Sequence, residues 1–167
     1  MTSIMFREKP IERAQTQKGG ITEGETAFIL NHDIPEYILK RTVKEGHFDT
    51  LEDARTAGIE LMKYIVLCLD NPNVRIGMWS EDVDEIWHTY VLHTREYFAF
   101  SRDVLGVDYF HHTPLIISDN GESNMPQDGG DNFRRLYNDK FGQVPPIWNS
   151  MNKSSCDSYG GDECCCY

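Results

Sequence analysis

Residues 83–100 read VDEIWHTYVLHTREYFAF, and their apolar side chains recur at the spacing of an α-helix. On a wheel of about 100° per residue, one side of this helix collects a broad and largely aromatic face. That face consists of Val83, Ile86, Trp87, Tyr90, Thr94, Tyr97 and Phe98. Ser80 precedes the segment as a capping residue and Gly106 follows it. The pattern therefore predicts one buried helix from about residue 81 to about residue 105.

Three other segments carry the signals of helices. Residues 33–45 begin with a capping residue and an early proline and stop at Gly46. Residues 51–70 follow Thr50, a second capping residue, and residues 131–141 form a shorter amphipathic stretch. No alternating apolar run is long enough for a sheet. The sequence predicts an all-α fold, a small helical bundle of three main helices plus a short fourth.

The composition at both ends differs from that of the middle. Residues 1–20 are polar and end in two glycines, so we expect a flexible N-terminal arm. Residues 21–149 hold the helical segments and are predicted to form one domain. Residues 150–167 are rich in Ser, Gly and Cys and offer little to pack, so we expect a disordered tail.

The charge balance argues against nucleic-acid binding. Sixteen Lys and Arg against 27 Asp and Glu give a net charge of −11, and phosphate contacts require clustered cations. The first ten residues lack the apolar run of a signal peptide, and the longest apolar stretch, residues 65–69, is far too short for a membrane span. We expect a cytoplasmic protein with reduced thiols and no membrane association.

A polar stripe borders the aromatic face of the 81–105 helix. Asp84, His88 and Arg95 fall on the same border, whereas His93 falls on the opposite one. Asp84 and His88 are four residues apart, so their side chains meet one turn apart. Such a pair either fixes how the helix docks or contributes metal ligands, and for the pair alone we favour the structural interpretation.

Two adjacent histidines add a second part to this pattern. His111 and His112 precede Pro114, which disfavours helix, and neighbouring residues of an extended segment point to opposite sides. One of them can therefore face Asp84 and His88 if the segment folds back over the helix. Two histidines and a carboxylate would suit zinc or iron. Twenty-two residues separate His88 from His111, which is not a metal-binding signature in itself.

These residues resemble the glycine-rich domain-containing protein-like family. Its pattern V-D-x-x-W-H-x-x-x-L-x-T-x-x-Y-x-x-F, followed by I-H-H-x-P, is similar to residues 83–100 and 110–114 here. The resemblance covers about residues 30–118, and the tail looks like that of short bacterial members. It implies a helical domain and draws attention to His88, His111 and His112. It implies no activity, because that family is largely uncharacterised.

The five cysteines divide into two groups. Cys68 lies within an apolar helical run and is expected to be an inert core residue. The other four, Cys156, Cys164, Cys165 and Cys166, belong to the tail. Soft-metal binding, redox chemistry or modification, and no function remain open for these thiols.

Two functions follow from the sequence. We favour an accessory protein that binds a protein partner, with the Trp-His and His-His-Pro residues as a structural signature. The alternative is a metal-binding protein or metalloenzyme using Asp84, His88 and His111 or His112, with Arg95 contacting an anionic substrate. No phosphate-binding loop, nucleophile elbow or C-x-x-C motif is present, so the sequence leans against an enzyme. It does not specify the oligomeric state.

Overall fold

The computed structural model describes residues 20–112 and 128–152, with side chains through residue 149. Within these ranges the protein is all-helical and contains no strand. The helices are α1 (Glu23–Leu30), α2 (Glu36–Glu45), α3 (Leu51–Asp70), α4 (Glu81–Leu92), α5 (Thr94–Asp103) and α6 (Gly129–Phe141), followed by a 3-10 helix (Pro146–Asn152). The all-α prediction is confirmed, but the prediction of three main helices and a fourth is wrong, because the described part has six α-helices.

The core is organised around α3, the longest helix. The Thr50 hydroxyl caps it by accepting from the Asp53 backbone N–H at 3.1 Å. α1, α2, α4 and α6 all pack against α3, and most of its side chains are buried, including Cys68. This helix therefore joins the two ends of the described fold in one hydrophobic core.

The first two helices differ from the predictions. α1 was not predicted, because among its residues only Ile29 is buried and no apolar stripe marks it. The start of α1 is marked by a capping box: the side chains of Thr22 and Glu25 each accept a hydrogen bond from the backbone N–H of the other residue. α2 begins at Glu36, and its N-cap is Pro35, two residues after the predicted cap at Asp33. Its end at Gly46 is confirmed, and that glycine has a φ of 87°.

The helix predicted over 81–105 is two helices that meet at His93. In a continuous helix, the His93 backbone N–H would bond the Thr89 carbonyl. Here the His93 Nδ1–H donates to that carbonyl at 2.8 Å, and the backbone N–H bonds Tyr90 instead. Because the His93 side chain takes the place of its backbone N–H at the Thr89 carbonyl, α4 ends at Leu92 and a second helix begins at Thr94.

The break makes part of the predicted buried face wrong. Val83, Ile86, Trp87 and Tyr90 on α4 are buried, as expected. On α5, Tyr97 is buried, but Thr94 is exposed and Phe98 is 50% exposed. A single helical wheel cannot describe both helices, because the angular positions of the α5 side chains no longer follow from those of α4 after the break at His93.

A buried carboxylate attaches the last described segment to α3. Glu60, 5% exposed, accepts hydrogen bonds from the Tyr137 hydroxyl at 2.8 Å and the Trp148 indole N–H at 2.7 Å. Lys63 pairs with the same carboxylate at 2.7 Å. Burial and the bond to Glu60 raise the pKa of the Tyr137 hydroxyl. Trp148 was not predicted to be a core residue, yet it is only 3% exposed.

α6 begins at Gly129, two residues before the predicted start. Gly130 packs against the Trp79 indole so closely that a Cβ there would lie 2.7 Å from Trp79 Cζ2. Glycine at this position is therefore a packing requirement.

Two predictions fall outside the described residues: the flexible arm, apart from Gly20, and the cysteine-bearing end of the tail. The domain boundaries stay predictions. None of the helices in the described ranges combines the length and apolar character needed to cross a membrane.

Replacing Trp87 with alanine should lower the free energy of unfolding by about 3–5 kcal/mol, because it empties a fully buried aromatic site. The matched change Phe98→Ala should cost less than about 1 kcal/mol, because half of that ring faces solvent. Chemical denaturation of both variants measures the difference. A large loss at Phe98 would contradict the break at His93.

His32 should make the fold sensitive to mild acid. Nε2 of its partly buried ring lies 3.0 Å from the Tyr90 hydroxyl oxygen, and the ring packs at a tilt against Phe100. Burial lowers its pKa, although Asp33 partly offsets the effect. As pH falls below about 6.5, the unfolded chain takes up a proton that the folded chain resists, so stability decreases until the folded pKa is passed. Above a pH of about 6.5, His32 no longer changes the stability with pH, because its ring is neutral in both the folded and the unfolded chain.

Denaturation of the wild type and of His32→Gln at several pH values between about 7.5 and 5 tests this effect. The free energy of unfolding of the variant should decrease less than that of the wild type as the pH is lowered. Identical pH dependence in the two proteins would contradict it.

Candidate metal centre

Asp84 is the buried centre of the site. It lies in the first turn of α4, which starts after Ser80, whose hydroxyl caps the helix by accepting from the Val83 N–H. The side chain is 7% exposed, and its Oδ2 lies 3.6 Å from Nε2 of His88, one turn further along the helix. The predicted pairing of these two residues is therefore present.

His112 completes the group from outside the helix. Its Nε2 lies 3.0 Å from Asp84 Oδ1, and its ring centroid lies 4.5 Å from that of His88. The ring also stands edge-on against Trp87, with centroids 4.4 Å apart. The His112 side chain is 7% exposed, whereas the His88 side chain is 32% exposed.

The two adjacent histidines point to opposite sides, as the alternation of an extended segment predicts. His112 faces the cluster, while His111 is exposed and contacts the ring of Tyr109. Of the two possible ligands left open by the sequence, the structure brings His112 to Asp84 and His88 and leaves His111 outside.

Arg95 does not join this cluster in the described structure. It is exposed on α5, where its charge acts on Tyr37 and Glu96. The predicted stripe placed it beside His88, but the break at His93 changes the direction of the helix between them. Its role as an anion contact stays a prediction. The four tail cysteines lie outside the described residues.

The sequence did not indicate what holds the histidine segment in place. The Tyr97 hydroxyl donates to the Phe110 carbonyl at 2.6 Å, and the Phe110 N–H donates to the Ser101 hydroxyl at 3.3 Å. Tyr97 was predicted only as part of a buried face. The only sequence signal for this attachment was the four-residue spacing of Tyr97 and Ser101, which places both side chains on one face of α5.

The cluster has the ligand types and the dimensions of a transition-metal site. One ligand atom from each of Asp84, His88 and His112 lies within 4.8 Å of the others. Bonds of about 2.1 Å place neighbouring ligands of a tetrahedral ion about 3.4 Å apart. The observed separations of 3.0 and 3.6 Å from the Asp84 oxygens bracket that spacing. The two distances involve different oxygens of Asp84, and their size matches that expected between ligands of one ion.

A separate surface cleft of about 630 Å³ lies between the start of α3 and the 3-10 helix. Asp49, Asp53 and Asp82 line it together with Phe48 and other residues. It includes none of the three candidate ligands. Asp53 has a structural role there, because its carboxylate accepts from the Thr50 hydroxyl at the helix cap.

The chain belongs to the UCP032817-like family, whose profile matches residues 24–140. The expected membership of the glycine-rich domain-containing protein-like family is therefore wrong. The residues behind that expectation are Trp87, His88, His112 and their neighbours, which serve core packing and the polar cluster. Short motifs of this kind report a local packing arrangement and do not identify a family. The family's name describes no activity.

No curated protein matches the chain. No solved structure matches it either. The function must therefore be argued from the site.

Replacing His112 with alanine should lower the free energy of unfolding of the metal-free protein by about 1–3 kcal/mol. The change removes the ring that bonds the buried Asp84 carboxylate and contacts Trp87. The neighbouring change His111→Ala should stay within about 0.5 kcal/mol, because that side chain is exposed. Equal effects of the two substitutions in chemical denaturation would contradict the geometry.

Proposed function

We propose that this protein binds a divalent transition metal ion, zinc or iron(II), through Asp84, His88 and His112. The observation that carries the proposal is the convergence of these three side chains. Two of them lie one turn apart on α4, and the third arrives from a segment 28 residues after Asp84. The described residues contain this one group of three potential ligands within bonding reach of an ion.

The ligand set indicates the class of metal. Neutral imidazole suits zinc and iron, and a single carboxylate balances half of the charge of a divalent ion. Calcium and magnesium prefer sites made of oxygen atoms, so two imidazoles argue against them. Because protons compete with the metal ion for the imidazole nitrogens, the affinity should be lower in acid.

The burial of the three side chains also supports this function. Asp84 and His112 are nearly inaccessible, and the packing of His112 on Trp87 limits its rotation. Fixed ligands lose little conformational freedom when an ion binds. His88 is the exposed member and can adjust its ring toward the ion.

A purely structural cluster would show the same Asp84–His112 hydrogen bond without any ion. Metal content distinguishes the two interpretations. The full-length protein, purified without an affinity tag, should contain about one zinc or iron ion per chain by elemental analysis. Asp84→Asn, His88→Gln and His112→Gln should each lose the ion. His111→Gln is the matched control that should retain it.

Replacing Cys156, Cys164, Cys165 and Cys166 with serine in the full chain tests the tail separately. Retention of the ion in this variant supports the site at Asp84. Its loss would assign the metal to thiolates and contradict the proposal. A metal-free protein that also fails to bind added zinc, iron(II) or cobalt(II) would overturn it.

The accessory role with a protein partner, which the sequence favoured, stays a prediction. No residue contact described here identifies a partner. Metal binding is the function that the arrangement of side chains supports best, and it does not by itself imply catalysis.

A further inference from the structure

The peptide groups of Phe110 are held at both ends by one face of α5. Tyr97 donates its hydroxyl hydrogen to the Phe110 carbonyl, and Ser101, one turn later, accepts the Phe110 N–H. Both α5 side chains are fully buried. This pair of hydrogen bonds fixes the segment that carries His112 against the helix.

The Tyr97 hydroxyl has a defined orientation. It accepts the indole N–H of Trp87 at 2.8 Å, so its own hydrogen is directed to the Phe110 carbonyl. Edge contacts with Tyr90 and Tyr109, each at 5.3 Å between centroids, hold the ring on its sides. The hydroxyl thus links α4, α5 and the histidine segment through one oxygen atom.

His112 lies two residues beyond this attachment and on the same side of the segment. The rings of Phe110 and His112 both contact Trp87, with centroids 5.6 and 4.4 Å away. Trp87 is on the same helix as Asp84 and His88. The position of the third ligand is therefore set relative to the other two by Trp87 and by the bonds to Phe110.

We propose that Tyr97, assisted by Ser101, is a positioning residue that aims the His112 imidazole at Asp84 and His88. This inference rests on the proposed metal-binding function. Neither residue is one of the three proposed ligands, and each acts through the backbone of Phe110. In other metal sites, loss of a hydrogen-bond partner of a ligand lowers metal affinity by about 10- to 100-fold, and we expect the loss of a support for the ligand's backbone to act at the lower end of that range.

The test compares cobalt(II) affinities of full-length variants in absorption titrations. Tyr97→Phe removes only the hydroxyl and should weaken binding by about 10-fold or more. Ser101→Ala should weaken binding in the same direction. Tyr64→Phe is the matched control, because this fully buried hydroxyl also donates to a backbone carbonyl, that of Ile76 at 2.9 Å. It should retain wild-type affinity even if it loses comparable stability.

A second measurement does not depend on metal. In the metal-free protein, the Trp87 ring current should shift the nuclear magnetic resonance signals of the His112 ring protons. Tyr97→Phe should move these signals toward the values of a free histidine, and Tyr64→Phe should not. Ser101→Ala provides the same measurement if Tyr97→Phe does not fold.

The outcomes separate the two proposals. If the wild type binds no metal but Tyr97→Phe shifts the His112 signals, the metal function fails and the positioning role stands. If Tyr97→Phe and Ser101→Ala leave both the affinity and the His112 signals as they are in Tyr64→Phe, the positioning role is overturned.

Discussion

The indole of Trp87 has no exposed surface, so its single N–H must find an acceptor inside the protein. The acceptor is the Tyr97 hydroxyl, ten residues later in the chain. In a straight helix, those two residues would be separated by a rise of about 15 Å. The turn between α4 and α5 at His93 brings their side chains together. Satisfying one buried donor is thus linked to the break that shapes this part of the fold.

The same indole connects the core to the candidate metal centre. One side packs against Tyr64 of α3, and other surfaces contact Phe110 and His112. The fold and the site consequently share a side chain, and neither can be altered independently there. For this reason the proposed ligands are best tested with substitutions that leave Trp87 in place.

The sequence predicted several of the features that depend on local chemistry. The caps at Thr50 and Ser80 and the glycine stop at Gly46 are encoded within a few residues, and all are present. The break at His93 was missed because a histidine that bonds the preceding turn carries no distinctive pattern. Trp148 was missed because its partner, Glu60, is 88 residues away in sequence. Helical periodicity reports the burial of a face but not such distant pairings.

The candidate site was predictable to the same extent. The spacing of Asp84 and His88 and the alternation of His111 and His112 are local patterns, and the three side chains that meet in the structure are among the residues these patterns indicated. Which of the two histidines faces inward depends on the attachment of Phe110 to α5, which is a tertiary contact. The predicted involvement of Arg95 depended on a continuous helix, so it lost its support at His93.

The carboxylate of Glu60 has a consequence for the order in which the chain assembles. Its two neutral donors, Tyr137 and Trp148, lie 77 and 88 residues later in the chain, so they leave the ribosome long after α3. Until they arrive, Lys63 is the nearby partner that can compensate the charge, and water must solvate the remaining oxygen. Both neutral donors are therefore available to Glu60 only after residue 148 has been synthesised.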